Sequence, residues 1–236
     1  MCHNNVLSAL PSPGKYEITE VRGLRHWQFR PEATEPEARV AILTDIYGCN
    51  EFYQSFATFF ALKGWQSNLI DLFTELGELP ELTREAAFER RNKLRDRDIC
   101  DRLEYYLQDQ NIDALIGFCL GGNYVLELAQ RGVSPRLVAY YPFPAGLPNQ
   151  DGLTPPFEYL NKLEKKVTIL IGDSDDRAGC ENMRQLAAIG KDNPALDVHL
   201  YARSGHGFLA HLDSEDELLR GNAETSLDVC LQAIAG

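Results

Sequence analysis

No stretch of this sequence stays apolar over the ~18–20 residues that a membrane span requires. Its first residues, Met1 to Leu10, place no basic cluster ahead of their short apolar stretch, so no secretion signal is expected and a cytoplasmic protein is. There is no Cys-x-x-Cys pair and no Cys/His spacing suited to zinc; the 6 cysteines (Cys2, Cys49, Cys100, Cys119, Cys180 and Cys230) are scattered. A chain of 236 residues can bury a sizeable core without covalent staples, so free thiols are expected rather than disulfides. No nucleotide-binding glycine motif is present, and no cofactor is expected. Basic residues are in deficit, 23 Lys and Arg against 35 Asp and Glu, for a net charge of -12. That balance argues against nucleic acid and against an anionic membrane surface. It leaves room for a small anionic substrate, because a few local arginines outweigh a distant field once water is excluded. The expected partner is a small molecule, and the expected state a monomer or small homo-oligomer. With no internal repeat, low-complexity tract or long linker, residues 1–236 read as a single domain.

What is present is an alternation of short apolar runs with amphipathic segments. Tyr16–Glu20 and His26–Phe29 suggest two early strands. Arg39–Thr44, Trp65–Leu72, Asp113–Ile116, Leu137–Tyr141, Val167–Ile171 and Leu196–Tyr201 follow as further strands. Between and after them, Phe52–Lys63, Glu85–Gln108 (one helix or two), Asn123–Ala129, Asn182–Gly190 and Ala223–Ala235 have helical character. Phe88, Leu94, Ile99, Leu103, Tyr106 and Leu107 form the apolar face of the long helical segment. The charges from Arg90 to Arg97 read as its solvated face. Strand–helix alternation predicts an α/β fold, with a mostly parallel central sheet and helices on both faces. The proline- and glycine-containing stretch from Phe143 to Lys165 is the only room for a cap, and is too short for a large lid domain.

Gly117-Phe118-Cys119-Leu120-Gly121-Gly122 lies where a strand candidate meets a helix candidate. This is the glycine-x-nucleophile-x-glycine pattern of a nucleophile elbow, with cysteine at the corner. A sharp strand-to-helix turn holds its corner side chain in the open, and Gly117 and Gly121 let strand and helix approach. The helix start aims backbone N–H groups and a positive dipole end at the sulfur, favouring thiolate and a developing oxyanion. Downstream, Gly172-Asp173-Ser174-Asp175 follows a late strand, and Ser204-Gly205-His206-Gly207 follows the last one. The order nucleophile, acid, histidine is that of the α/β-hydrolase arrangement, with all three at carboxyl ends of strands. Cys119 is the candidate nucleophile, His206 the base and Asp175 the orienting acid, with Asp173 as the rival acid. The Leu120 N–H is one candidate oxyanion donor, and the loop Asp45-Ile46-Tyr47-Gly48-Cys49-Asn50 supplies the other through Ile46. Tyr47 and Phe118 are candidate pocket residues. His3, His26, His199 and His211 read as surface or packing residues.

These stretches, Thr44-Asp45-Ile46-Tyr47-Gly48-Cys49-Asn50, Leu69-Ile70-Asp71-Leu72-Phe73, Gly117 to Gly122, Gly172 to Asp175 and Gly205-His206-Gly207-Phe208, resemble those of the dienelactone hydrolase family, in family order. The resemblance implies an α/β-hydrolase fold and hydrolysis of lactones or esters through an acyl-thioester; the name-giving reaction opens dienelactone to maleylacetate. It implies Cys119, Asp175 and His206 in the roles above. Asp45 matches an acidic residue that holds the resting cysteine as a neutral thiol, a position where the best-known member type has glutamate. Arg84 resembles one of two arginines that take the substrate carboxylate. The other falls four residues after the histidine, where this chain has Ala210, and Arg203 is the candidate substitute.

Each reading has a plainer competitor. A cysteine such as Cys119 is often a small core residue. Asp45 can cap a turn and Arg84 can be a solvated helix charge. Cys49 reads as packing, with a disulfide to Cys119 as the sharper idea. The alternative to an enzyme is a relative on the same fold that binds a ligand or senses redox state.

Overall fold

In the computed structural model, which describes residues 7–32 and 35–235, the apolar runs form one eight-stranded sheet. Its strands are β1 (Glu17–Val21), β2 (Leu24–Phe29), β3 (Arg39–Leu43), β4 (Gln66–Ile70), β5 (Ala114–Phe118), β6 (Arg136–Tyr140), β7 (Val167–Gly172) and β8 (Leu196–Tyr201). The spatial order is β1-β2-β4-β3-β5-β6-β7-β8. The β1–β2 hairpin joins β4 antiparallel, and every pairing from β4 through β8 is parallel. Strands β5 and β7 are buried at every position, as both-face coverage demands of unbroken apolar runs. The helices are α1 (Glu51–Leu62), α2 (Arg84–Arg91), α3 (Asp96–Asp109), α4 (Leu120–Gln130), α5 (Cys180–Asp192) and α6 (Glu217–Ala235). One core cluster gathers Leu103 and Tyr106 of α3, Leu128 of α4 and Leu186 of α5 on one face of the sheet. The other gathers Phe52, Phe56 and Phe60 of α1 with Cys230 and Ile234 of α6. This is the expected fold, with no large extra domain. Cys2 and His3 lie outside the described residues.

The chain leaves β3 towards β4 on one side of the sheet and returns to β5 on the other. Two loops therefore diverge at the carboxyl ends of β3 and β5, where open α/β sheets form their ligand crevice.

Of the two forms expected for the long helical segment, the structure has two helices, broken over residues 92–95, although no proline or glycine marks the break. Its cause is tertiary: Asp151 Oδ1 accepts the Asp96 N–H at 2.7 Å and Asn149 Nδ2 donates to the Leu94 carbonyl at 3.0 Å, so residues 149–152 cap the start of α3. Arg90 and Arg91 are buried rather than solvated. Phe88 is 41% exposed and does not belong to a core face. Helix α6 also begins earlier than expected, because Asp216 Oδ1 accepts the Leu218 and Leu219 N–H groups at 3.0 and 3.3 Å and caps its first turn.

The close approach of β3, β5 and α4 depends on missing side chains. A Cβ at Gly117 would lie 2.2 Å from the Gly121 carbonyl oxygen, and one at Gly121 would lie 2.6 Å from the Leu43 carbonyl oxygen. Both obstacles are backbone, so neither can swing aside. Gly121→Ala is expected to lower the unfolding free energy by about 1–3 kcal/mol, the usual cost of overpacking. The urea midpoint should fall at constant m-value; an unchanged midpoint would show that the three elements part freely.

Candidate active site

Cys119 stands between the last residue of β5 and the first of α4 with φ 54° and ψ -110°. Positive φ in a non-glycine residue costs about 1–3 kcal/mol and persists only where its surroundings over-determine it. Here the Cys119 N–H donates to the Tyr140 carbonyl at 3.0 Å and its carbonyl accepts from Asn123 N at 3.2 Å, pinning both sides of the corner. Cys119 is 4% exposed as a residue and lines a cavity of about 530 Å³ at the carboxyl ends of the strands.

His206 lines the same cavity. Its Nδ1 lies 2.8 Å from Asp175 Oδ2, and this contact makes Nδ1 the protonated nitrogen of the neutral ring, donating to the carboxylate. Asp175 is fully buried; its other oxygen accepts the N–H groups of Arg177 and Ala178 at 3.0 and 2.9 Å. The geometry pairs the histidine with Asp175 and not with Asp173, whose Oδ1 accepts the Ser174 hydroxyl. The two loops that carry acid and histidine are docked through backbone. Asp173 N donates to the Tyr201 carbonyl and Ser174 N to the Ser204 carbonyl, both at 3.0 Å. A Cβ at Gly172 would lie 2.0 Å from the Ser204 oxygen. The imidazole is seated against Tyr141 and Phe143, each 5.0 Å away between ring centroids. Asn123 braces Phe143 from the elbow helix, accepting its N–H at 2.7 Å and donating to its carbonyl at 2.9 Å.

The loop after β3 is rigid. The Asp45 carbonyl accepts from Gly48 N at 3.2 Å, and buried Asp45 Oδ1 accepts from Tyr47 N at 2.8 Å. Arg90 Nη2 donates to the Ile46 carbonyl at 3.1 Å, with its guanidinium carbon 3.8 Å from the Phe73 ring centroid. Burial holds that guanidinium below its ordinary value, against the opposing pull of Asp71, Cys49 and Asp45. Cys49 packs under the loop with its Sγ 3.4 Å from the Ile70 carbonyl; burial pushes its thiol well up. Cys49 and Cys119 are separate thiols.

Of the sequence candidates, Ile46, Tyr47, Arg84, Cys119 and His206 line the cavity. Arg84 is exposed at the start of α2, with its guanidinium carbon 5.2 Å from the Phe88 ring centroid. Leu120 faces a small adjoining recess instead. Phe118 lies in the core, its ring 4.8 Å from that of Tyr140, and does not reach the cavity. Arg203 is turned away too: its Nη2 meets Asp216 Oδ2 at 2.8 Å on an exposed surface. Sequence reasoning missed Phe88, Arg91, Phe143 and Arg177, all of which line the cavity. The crowding of proline and glycine after Tyr141 marked Phe143; nothing local marked the others. Among the described residues, no group of three or more His, Cys, Asp or Glu is placed to hold a metal ion, and no helix is long and apolar enough to cross a membrane.

Comparison with known proteins bears on this geometry. The family model described as dienelactone hydrolase family matches residues 24–230. The chain is 44% identical over 199 residues to carboxymethylenebutenolidase 2 of Cupriavidus pinatubonensis, covering 84% of this chain and 85% of that protein. It is 32% identical over 222 residues to a carboxymethylenebutenolidase of Rhodococcus opacus, covering 90% and 87%. A crystal structure from Klebsiella pneumoniae, of a protein described as a putative dienelactone hydrolase, superposes with a TM-score of 0.73 at 21% identity, over 90% of this chain and 92% of that one; this likeness speaks for the fold. Because the family match spans most of the chain, and identity is 44% to a relative matched over 85% of its length, the similarity extends beyond architecture: the chain belongs to the dienelactone hydrolase family.

Proposed function

We propose that the chain is a cysteine-dependent hydrolase of small carboxylic esters or lactones, the class to which the carboxymethylenebutenolidase names of its relatives point. The observation that carries this reading is that Cys119, at a strained corner, and His206, oriented by Asp175, line one cavity of small-molecule size.

In the proposed reaction the Cys119 thiol gives its proton to His206 and the sulfur attacks the acyl carbon, forming a tetrahedral oxyanion. Collapse expels the alkoxide or enolate, which takes the proton from the imidazolium and leaves an acyl-thioester. Water then attacks, with His206 as base, and the thioester breaks to carboxylic acid and thiol. Asp175 stabilises the imidazolium and fixes the tautomer. In a lactone the leaving oxygen stays attached to the acyl group, so a single ring-opened acid is released.

Two backbone groups suit the oxyanion. Leu120 opens α4, and its N–H is among the first-turn donors that have no acceptor within the helix. The peptide joining Asp45 to Ile46 turns its carbonyl to Gly48 N; in a trans peptide the Ile46 N–H then points the opposite way. The Ile46 side lines the cavity, which supports this N–H as the second donor. Asp45 and Arg90 hold the next peptide plane, Ile46 to Tyr47, through Tyr47 N and the Ile46 carbonyl. Removing one such donor typically costs about 10²–10³ in turnover. Asp45 is also the residue assigned to keeping the resting thiol neutral, a role that its burial at the start of this loop supports.

Cys119→Ala is expected to abolish hydrolysis of 4-nitrophenyl butanoate without loss of fold, and acid quenching of the parent during turnover should trap a butanoyl group on Cys119. Turnover by the alanine variant, or label on another residue, would remove Cys119 as nucleophile. Asp175→Asn should lower kcat by about 10³–10⁴-fold through the wrong histidine tautomer; a loss below tenfold would assign the acid's role elsewhere. Iodoacetamide near neutral pH should modify Cys119 ahead of Cys49, Cys100 and Cys230, whose thiols burial pushes up. Peptide mass spectrometry reads the order, and modification of those three first would contradict an accessible elbow thiol.

A further inference from the structure

Arg90 is a buried cation that no acid partners. It lies on the last turn of α2, is 8% exposed, and forms no ion pair among the described residues, whereas Arg91 beside it meets Asp96 at 2.7 Å. Its donors go to main chain instead. Nη1 donates to the Gly77 carbonyl at 3.0 Å and Nη2 to the Ile46 carbonyl at 3.1 Å. Nε is buried with no acceptor among the described residues, and Phe73 covers the guanidinium face. Two carbonyls and one ring offset only part of the desolvation of a buried charge, so stability alone is a weak reason for an arginine here.

Both carbonyls belong to loops at the carboxyl ends of strands. Gly77 follows β4, and Ile46 follows β3 and lines the cavity with Cys119. Residues 45–48 form a turn closed by Gly48 N on the Asp45 carbonyl at 3.2 Å, with Ile46 and Tyr47 as its central residues. The two common forms of such a turn differ by about 150° in ψ of the first central residue, which is a flip of the middle peptide. That residue is Ile46, whose N–H is the proposed oxyanion donor. The middle peptide is gripped at both ends: Arg90 Nη2 holds its carbonyl, and Asp45 Oδ1 accepts its N–H at 2.8 Å. A flip would break both bonds at once and leave a further guanidinium donor buried without a partner.

We propose that Arg90 is a positioning residue for the oxyanion donor. Through the Ile46 carbonyl it locks the middle peptide of the 45–48 turn, and through the Gly77 carbonyl it ties that turn to the loop after β4. This role rests on the hydrolase reading given above. Arg90 is not among the residues that line the cavity, so its effect reaches the transition state through the Ile46 N–H and leaves substrate affinity alone. The planar fork suits the task, because it presents two donors at a fixed spacing to two carbonyls. A lysine ammonium keeps the charge but not that spacing.

The test separates oxyanion stabilisation from thiol access, on the full chain. Turnover of 4-nitrophenyl butanoate gives kcat and KM. 1,1,1-Trifluoropentan-2-one, which carries the same propyl group, probes the tetrahedral state. The Cys119 sulfur bonds to its carbonyl carbon, the carbonyl π pair moves onto oxygen as the oxyanion, and the thiol proton passes to His206. Iodoacetamide alkylates Cys119 by forming a carbon–sulfur bond and releasing iodide, with no oxyanion, and so reports the thiol alone. Arg90→Met should lower kcat by about 10–10²-fold, part of what loss of a whole donor removes. KM and the alkylation rate should stay within about threefold of the parent. Inhibition by the trifluoroketone should weaken by the same factor as kcat/KM, since both depend on the oxyanion donors. Arg90→Lys should fall between parent and Arg90→Met, and circular dichroism verifies the fold of each; if the Met variant does not fold, the same comparison on Arg90→Lys decides. Unchanged kcat in a folded variant would overturn the proposal. So would equal losses in turnover, ketone inhibition and alkylation rate, which mark a merely structural arginine. A parent that neither hydrolyses the ester nor adds to the ketone would remove the hydrolase reading itself, and the parent alone shows that outcome.

Discussion

The contact on which the rest of the molecule depends is backbone against backbone, where β5 turns into α4 beneath the loop that leaves β3. Gly117, Gly121 and Gly122 bring three main chains so close that Gly121 N donates to the Thr44 carbonyl at 3.1 Å. One interaction therefore locks the Cys119 corner to the loop that carries the proposed oxyanion donor. The strain at Cys119, about 1–3 kcal/mol, is comparable with what burial of one aromatic side chain contributes, about 1.5–3 kcal/mol. Directly before it, Phe118 is fully buried and its ring lies 5.2 and 5.3 Å from those of Phe56 and Tyr53. The aromatic cluster under the corner is thus large enough to hold the cysteine in a conformation it would not take alone.

The acid–histidine pair is organised on the same plan, through loops docked main chain to main chain at Gly172 and Ser204. Rigid loops matter because the imidazole must keep one tautomer and one direction. Asp175 supplies both by spending one oxygen on the ring and the other on its own loop's N–H groups. Tyr141 and Phe143 limit the tilt of the ring. Asn123, from the elbow helix, ties Phe143 to the element that follows Cys119, so His206 and Cys119 are positioned by overlapping contacts.

The arginines of α2 divide the labour by depth. Arg84, on its first turn, is exposed at the cavity; Arg90 faces the β3 loop and holds the Ile46 carbonyl; Arg91 faces the cavity and is braced by Asp96. This division follows from helical spacing: positions 90 and 91 are adjacent in sequence but point about 100° apart around the axis. The break after Arg91 lets Asp96 turn back to meet its guanidinium, and the break is made by Asn149 and Asp151 from a distant segment.

The local sequence determined the sheet, the helices and the elbow. Unbroken apolar runs specify strands buried on both faces, glycines at 117 and 121 permit the tight corner, and the order of Cys119, Asp175 and His206 follows the strands to which they are attached. These features depend on neighbours within a few residues, so they are legible one segment at a time. The choice of Asp175 over Asp173 became visible only when the loop folded over Ser204, and the fate of Arg203 only when Asp216 was seen to claim it. The burial of Arg90 and Arg91 was equally hidden: within α2 they look like solvated charges, and only packing against the β3 loop, Asp96 and the 149–152 segment removes them from water. Periodicity records which residues are apolar, and so it reports the core. It does not record which charged residues will find partners far along the chain, and at this site tertiary contacts alone decided that.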